Sequence, residues 1–281
     1  MEKVVFMYDF DKTLCDRDMQ EYEFIPNMKL SANEFWTATS NEAKNPGNNI
    51  EKILAYMYTM MKYAKRNGIK LTRDYLNSCG SKVKLFEGVK DFFVRINQMA
   101  NSLGFEAEHY IISSGLKEII KGTEIAKYFK EVYACEFHYD MDGIADFPAY
   151  VVNYTMKTQF LFRISKGAFD LNDEEKLNAK IKDEDRYVRF QNMIYFGDGL
   201  TDVPCMKLVR ENGGTAIAIY QENNDKIARK LFDENRVDFI APADYRENSY
   251  LDLVIRKVFA KMVALKNLND LRDEEKVRGN R

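Results

Sequence analysis

The segment Tyr8–Leu14 reads YDFDKTL; it closes the apolar run VVFMY (Val4–Tyr8) and leads into CDRD. Residues 3–8 read as a strand buried on both faces, suited to the middle of a parallel sheet. Ending such a strand on Asp9 and Asp11 raises a difficulty. Alternate residues of an extended segment point to one side. The two carboxylates would therefore approach each other if the strand continued, and like charges partly withdrawn from water repel. A bound divalent cation is the simplest compensation.

The same ending recurs further along. HYIISSG (His109–Gly115) is an apolar strand running into serines and a glycine, and NMIYFGDG (Asn192–Gly199) is another running into acid and glycine. TAIAIY (Thr215–Tyr220) and VDFIA (Val237–Ala241) read as two more strands. GVKDFFVRINQMANSLG (Gly88–Gly104) is helical, with Phe92, Phe93, Ile96 and Met99 on one face, and LKEIIKGT (Leu116–Thr123) opens a further helix. VYACEFHYDMDGIADFPAYVV (Val132–Val152) reads as strands around a turn at Asp142-Gly143. Strands alternating with helices predict an α/β fold, a Rossmann-like parallel sheet with flanking helices and right-handed crossovers.

Between the first strand and Leu85 the texture differs. Ile50, Ile53, Leu54, Met57, Met61 and Ala64 recur at a helical period, NPGNN (Asn45–Asn49) is a turn-rich loop before them, and Gly68 is a stop. This stretch predicts a small helical domain at 17–85, inserted after the first strand. The α/β core then comprises 1–16 and 86–281. Within YMYTMMKY (Tyr56–Tyr63) most side chains are expected in a helix core, with some free to line an inner face. The charged segment Phe169–Arg186 is expected to be a solvated helix or insertion. Ser249–Leu265 is expected to close the fold as an amphipathic helix with a serine cap, and the charged tail after Asn267 to fray.

With 281 residues, 46% hydrophobic and 31% charged, the chain has an ordinary globular composition. Its 42 basic and 44 acidic residues leave a net charge of −2. That balance argues against nucleic acid or an anionic membrane as the main partner. The sequence holds no apolar run near membrane-spanning length, and MEKVVFMYDF is too short and too soon acidic for a secretory signal. Cys15, Cys79, Cys135 and Cys205 are scattered, which fits reduced core thiols in a cytoplasmic protein. Only His109 and His138 are present, so a histidine-rich metal site is excluded. Oligomeric state is not readable.

Asp9/Asp11, Ser113/Ser114/Gly115 and Asp198/Gly199/Asp202 each stand at a strand end, and in an open parallel sheet ligands bind beyond those ends. The three clusters are therefore expected to meet. Asp9 can serve as a nucleophile, and Asp11 can protonate a leaving oxygen and later activate water. Asp198 could complete a hard oxygen site with Asp9, of the kind that suits Mg²⁺. Ser113 supplies a hydroxyl, and the Ser114 and Gly115 amides precede a helix whose N-terminus favours an anion. A lysine is needed to neutralise a phosphate among so many acids. Lys157, in YTMKTQ, is the best placed, with Lys166 and Lys121 as rivals.

DFDKTL, IISSG, Lys157 and FGDGLTD resemble, in order, the four motifs of the haloacid dehalogenase-like hydrolases. The resemblance spans about 1–16 and 86–245. It implies Asp9 as nucleophile, Asp11 as general acid/base, and Ser113 and Lys157 as phosphoryl ligands. It also implies Mg²⁺ held by Asp9, the Asp11 backbone carbonyl and Asp198, with Asp202 in support. An aspartate at position 11 points to the phosphatases. The helical insert resembles the cap of the phosphoserine phosphatase-like branch, and the hairpin near Asp142-Gly143 fits that branch. Asp18, nine residues after Asp9, stands where phosphoserine phosphatases carry a glutamate that helps recognise the amino acid, so Asp18 is a candidate substrate contact. The shorter side chain, the lack of a matching cap arginine and the insertion at Phe169–Arg186 are departures that count against phosphoserine.

The expected activity is thus Mg²⁺-dependent hydrolysis of a small phosphorylated metabolite through an aspartyl-phosphate. The alternatives are a phosphotransferase or 5′-nucleotidase of the same fold, or a non-catalytic phosphate- or metal-binding module. The latter would have no need of an acid at position 11.

Overall fold

A computed structural model describes residues 1–47 and 49–279. Among them seven strands form one sheet: β1 (Glu2–Tyr8), β2 (Phe105–Leu116), β3 (Phe129–Tyr139), β4 (Ala145–Tyr150), β5 (Met193–Gly197), β6 (Thr215–Tyr220) and β7 (Phe239–Pro242). The spatial order is β4-β3-β2-β1-β5-β6-β7. All neighbours pair parallel except β3 and β4, which are antiparallel. The expected α/β architecture is the observed one, a mostly parallel, Rossmann-like sheet with flanking helices. β1 is central because Val4–Tyr8 can be buried on both faces, and all five are fully buried.

The helices in chain order are α1 (Phe24–Asn27), α2 (Ala32–Lys44), α3 (Lys52–Arg66), α4 (Arg73–Gly80), α5 (Val89–Ser102), α6 (Lys117–Lys121), α7 (Met156–Lys166), α8 (Glu174–Asn178), α9 (Val203–Glu211), α10 (Lys226–Asp233) and α11 (Tyr250–Gly279). α5 packs on β2, α9 on β5 and β6, and α11 against β7. α1 to α4 fall between β1 and β2, and no strand interrupts them. α2 starts on a capping box in which Ser31 and Glu34 satisfy each other's backbone amides. α2 and α3 pack together, and α3 also reaches β4.

The structure differs from the sequence reading at several places. β2 begins at Phe105, not His109; Glu106 and Ala107 are exposed or half-buried and interrupt the apolar run that marks the rest of the strand. As expected, the segment between Phe169 and Arg186 is a largely exposed insertion. It holds the short α8 and a 3₁₀ turn at Asp183–Asp185, and Arg163 ties it down by donating to the carbonyls of Asp170 (2.8 Å) and Leu171 (2.9 Å). Phe169 and the adjoining Tyr187 pack edge to face, 5.2 Å between centroids. The closing helix runs past Leu265 to Gly279, its charged tail carrying pairs such as Lys266–Asp270 and Arg278–Glu274 one turn apart. Asn280, Arg281 and Asn48 lie outside the described residues. The four cysteines are buried and free.

Candidate active site

β1 lies where the sheet's connections diverge, with β2 on one side and β5 on the other. That is the switch point at which α/β sheets open a crevice beyond the strand ends. The chain does not continue as a strand after Tyr8. It turns, with the amides of Thr13 (3.3 Å) and Leu14 (2.9 Å) donating to the Phe10 carbonyl and Lys12 at φ 58°. Asp9 and Asp11 are therefore brought together by a tight turn rather than by strand alternation. The Asp9 amide still donates to the Phe196 carbonyl of β5 at 2.8 Å, which fixes the first acid against the strand that leads into Asp198.

A cavity of about 400 Å³ opens at this end. Strand-end residues Asp9, Asp11, Ser113 and Asp198 line it together with Lys157, Asp18, Ser114 and Gly115. Lys157 comes from the first turn of α7 and is fully buried. Its Nζ lies 3.2 Å from Asp9 Oδ1 and 2.8 Å from Asp202 Oδ1. Asp202 does not line the cavity; it is fully buried and also accepts from Tyr195 OH at 2.8 Å. Gly197 permits this closeness, because a Cβ there would stand 2.6 Å from Asp202 Cγ. The two rival lysines are elsewhere. Lys166 donates to the Ala179 carbonyl in the inserted segment at 2.8 Å, Lys121 is exposed, and neither lines the cavity.

Asp9, Asp198 and Asp202 each present a carboxylate oxygen within 4.8 Å of the others, and the trio could hold a metal ion. Their electrostatics fit that role. Burial, reinforced by Asp202, pushes Asp9 up to about 6 despite Lys157. Burial, then Asp202 and Asp9, push Asp198 up to about 8. Burial would lower the Lys157 ammonium, but Asp202 and Asp9 outweigh it and hold it above its ordinary value. Lys157 is the ammonium in contact with Asp9 and Asp202, and Lys12 also attracts Asp198, yet the acids remain raised, and that shortage of positive charge favours a further cation. Asp11 is not one of the trio; its carboxylate accepts from the Met19 amide at 2.8 Å. Burial, then Asp18 and Asp9, raise it well above the ordinary carboxylate range.

Ser113 to Gly115 lie where the pairing of β2 with β3 is interrupted, between Ile112 and Leu116. Ser113 Oγ accepts from the Gly115 amide at 3.0 Å, so that amide is already engaged, and α6 beyond it is only five residues long. Gly115 leaves room for the end of the Met19 side chain, which a Cβ would displace while standing 3.1 Å from Asp11 Oδ2. Asp18 is paired with Lys12, whose Nζ lies 2.9 Å from both of its oxygens.

No protein-family model matches the chain. A Borreliella burgdorferi protein described as uncharacterised is 29% identical over 273 residues, 88% of this chain and 93% of its own. A HAD family hydrolase of Salmonella enterica serovar Typhi superposes with a TM-score of 0.55 at 17% identity, over 89% of this chain and 69% of its own. A phosphoserine phosphatase in the form of a phospho-aspartyl intermediate analogue gives 0.57 at 14% identity, over 92% and 99%. The chain has the haloacid dehalogenase-like fold. At these identities the likeness is one of fold, and the branch it resembles is that of the phosphoserine phosphatases.

Within this haloacid dehalogenase-like fold the cavity has a second wall that the sequence reading did not assign. Gln20, Trp36, Thr39, Ile53 and Tyr56 line it from the segment between β1 and β2. Tyr56 OH donates to the Ser114 carbonyl at 2.8 Å, joining α3 to β2. Tyr56 alone belonged to a stretch marked for an inner face. Gln20 and Thr39 carry no motif, and only their tertiary placement reveals them.

Proposed function

We propose that the chain is a Mg²⁺-dependent phosphomonoesterase acting through an aspartyl-phosphate. The observation that carries this is the Asp9 carboxylate, held 3.2 Å from the buried Lys157 ammonium in a cavity that Ser113, Asp11 and Asp198 share. An unprotonated carboxylate next to a buried ammonium is poised to attack a phosphorus whose oxygens that ammonium neutralises. The solved phosphoserine phosphatase captured as a phospho-aspartyl analogue, alike in fold, is consistent with the same role here.

Asp9 and Asp198 would be direct Mg²⁺ ligands with the Asp11 backbone carbonyl, and Asp202 would support them by fixing Lys157. When bound, Mg²⁺ supplies positive charge to the phosphoryl oxygens and to the acids. An Asp9 carboxylate oxygen bonds to phosphorus while the ester P–O bond breaks. Asp11, whose proton is favoured by burial and by the neighbouring Asp18 and Asp9, gives that proton to the departing alkoxide. Asp11 then takes a proton from water, whose oxygen bonds to phosphorus as the Asp9 P–O bond breaks. Ser113 and Lys157 hold the phosphoryl oxygens throughout.

The segment 17–85 acts as a cap over the core of 1–16 and 86–281, excluding bulk water during transfer. The substrate is a small phosphorylated metabolite of the cytoplasm. Release of p-nitrophenol from p-nitrophenyl phosphate with Mg²⁺, abolished by EDTA and restored by added Mg²⁺, is the expected result. Absence of Mg²⁺-dependent release would refute the reading.

A further inference from the structure

The cavity wall contributed by the helical segment carries buried polar atoms with nothing to bond. Gln20 is 2% exposed and Thr39 1%, and Gln20 Oε1 and Thr39 Oγ1 have no hydrogen-bond partner among the described residues. Ser114 Oγ, on the strand side of the same cavity, is unpartnered too. Buried polar groups are nearly always satisfied, and an orphan asks for an explanation. Thr39 is the more telling case. A threonine inside a helix can satisfy its hydroxyl on the carbonyl one turn back, and Thr59 of α3 does so, donating to the Ala55 carbonyl at 2.7 Å. Thr39 of α2 lines the cavity and forgoes that bond, leaving its buried hydroxyl unspent.

The charges of this wall narrow what could satisfy those atoms. No arginine lines the cavity among the described residues. The cation that the helices contribute, Lys52, is exposed. Asp18 is already neutralised by Lys12. A phosphoamino acid would bring a carboxylate and an ammonium into a wall with no buried partner for either, an unfavourable burial. The wall instead offers neutral acceptors and donors beside flat apolar surface. Trp36 spends its Nε1–H on Glu21 at 2.7 Å, and its ring stands edge to face with Tyr56 at 6.2 Å.

Resting on the phosphatase reading above, we propose that Gln20 and Thr39 recognise a neutral, hydroxyl-rich leaving group, that of a sugar or polyol phosphate. The substrate's hydroxyls donate to Gln20 Oε1 and exchange hydrogen bonds with Thr39 Oγ1, while its C–H faces lie on Trp36 and Tyr56. The phosphoryl group sits at Asp9 and Lys157 on the opposite wall.

The test compares Mg²⁺-dependent kcat/KM for glucose 6-phosphate, glycerol 3-phosphate, phosphoserine, AMP and p-nitrophenyl phosphate, in the parent chain and in Gln20→Leu and Thr39→Val. Glucose 6-phosphate or glycerol 3-phosphate is expected to exceed phosphoserine at least about tenfold. Each variant is expected to lower the ratio of that substrate to p-nitrophenyl phosphate about tenfold, the order expected for one neutral hydrogen bond in a desolvated site. The melting temperature of Thr39→Val should hold or rise, because the parent hydroxyl bonds nothing in the fold; a purely structural threonine would lower it. Preference for phosphoserine, or ratios unmoved in both variants, overturns the proposal while leaving the phosphatase reading intact. AMP exceeding the sugar phosphates tenfold places the hydroxyls on a nucleoside and overturns the sugar assignment. If p-nitrophenyl phosphate is not turned over, the phosphatase reading fails, and calorimetric binding of glucose 6-phosphate decides the inference. Binding weakened by Gln20→Leu upholds it, and no binding overturns it.

Discussion

β1 and β2 carry a buried acid cluster near each of their ends, and the two behave oppositely. Toward the start of β2, Glu108 is surrounded by donors. Lys130 Nζ (2.7 Å), Lys3 Nζ (2.8 Å), Tyr110 OH (2.6 Å) and Tyr187 OH all reach its carboxylate. Burial alone would raise this acid, but those donors outweigh it and hold it at about 2. At the far end Asp9 and Asp198 are raised to about 6 and 8. There burial and mutual repulsion win because Lys157, beside Asp9, and Lys12, near Asp198, do not offset them. A structural ion cluster satisfies its charge within the chain. A cluster left short of positive charge holds its acids in place for something that arrives from outside.

The contrast breaks most sharply at Asp9. Asp9→Asn is expected to reduce p-nitrophenyl phosphate turnover by about three orders of magnitude or more while the melting temperature holds or rises, since a repelling charge is removed. Turnover and melting curves measured together decide this. Glu108→Gln should do the reverse. It should cost about 1–3 kcal/mol of stability in denaturant titration and leave turnover per folded molecule unchanged, because it lies outside the cavity.

The two clusters should also answer pH with opposite signs. Glu108 is held below its ordinary value of 4.5, so its stabilisation is present above about pH 4.5 and lost as pH falls toward 2. Asp198 is held above its ordinary value of 3.8, so without metal its contribution is present at about pH 4 and lost as pH rises through 8. The melting temperature of Asp198→Asn minus that of the parent should therefore grow between pH 5 and 8. Mg²⁺ should raise the parent's melting temperature more at pH 8 than at pH 5. A flat difference would mean that Asp198 is not short of positive charge. The smallest effect is expected at Asp18, whose pair with Lys12 is partly exposed. Such pairs contribute about 0–1 kcal/mol, and Asp18→Asn should change KM by less than about fivefold with kcat preserved.

What the sequence disclosed follows from the same contrast. Three apolar runs ending in acid, serine or glycine mark β1, β2 and β5, because a strand buried on both faces leaves a continuous apolar signature. Their convergence follows from parallel topology. Lys157 stands out from Lys166, at the other end of the same helix, and from Lys121 by its burial in the first turn of α7, and lysines carry no local sign of burial. The turn at Phe10–Leu14, which replaces strand continuation, is set by hydrogen bonds to the Phe10 carbonyl rather than by a glycine or proline. Gln20 and Thr39 are invisible in one dimension, since an unpartnered atom is defined by what three-dimensional packing withholds. The Glu108 cluster was missed for a related reason. Its partners Lys3, Lys130 and Tyr187 come from separate segments, and the last flanks a segment that looked merely solvated.

The claim beneath all of this is that Asp9 takes the phosphoryl group and Asp11 moves the protons. Asp11→Asn with p-nitrophenyl phosphate separates the two roles, because p-nitrophenolate leaves without needing an acid whereas water still needs a base. Rapid mixing should give a burst of about one p-nitrophenol per molecule followed by slow turnover, with the phosphoryl group found on Asp9 after acid quench. Steady turnover as fast as the parent's without a burst, or a phosphoryl group carried on any other residue, would contradict the account.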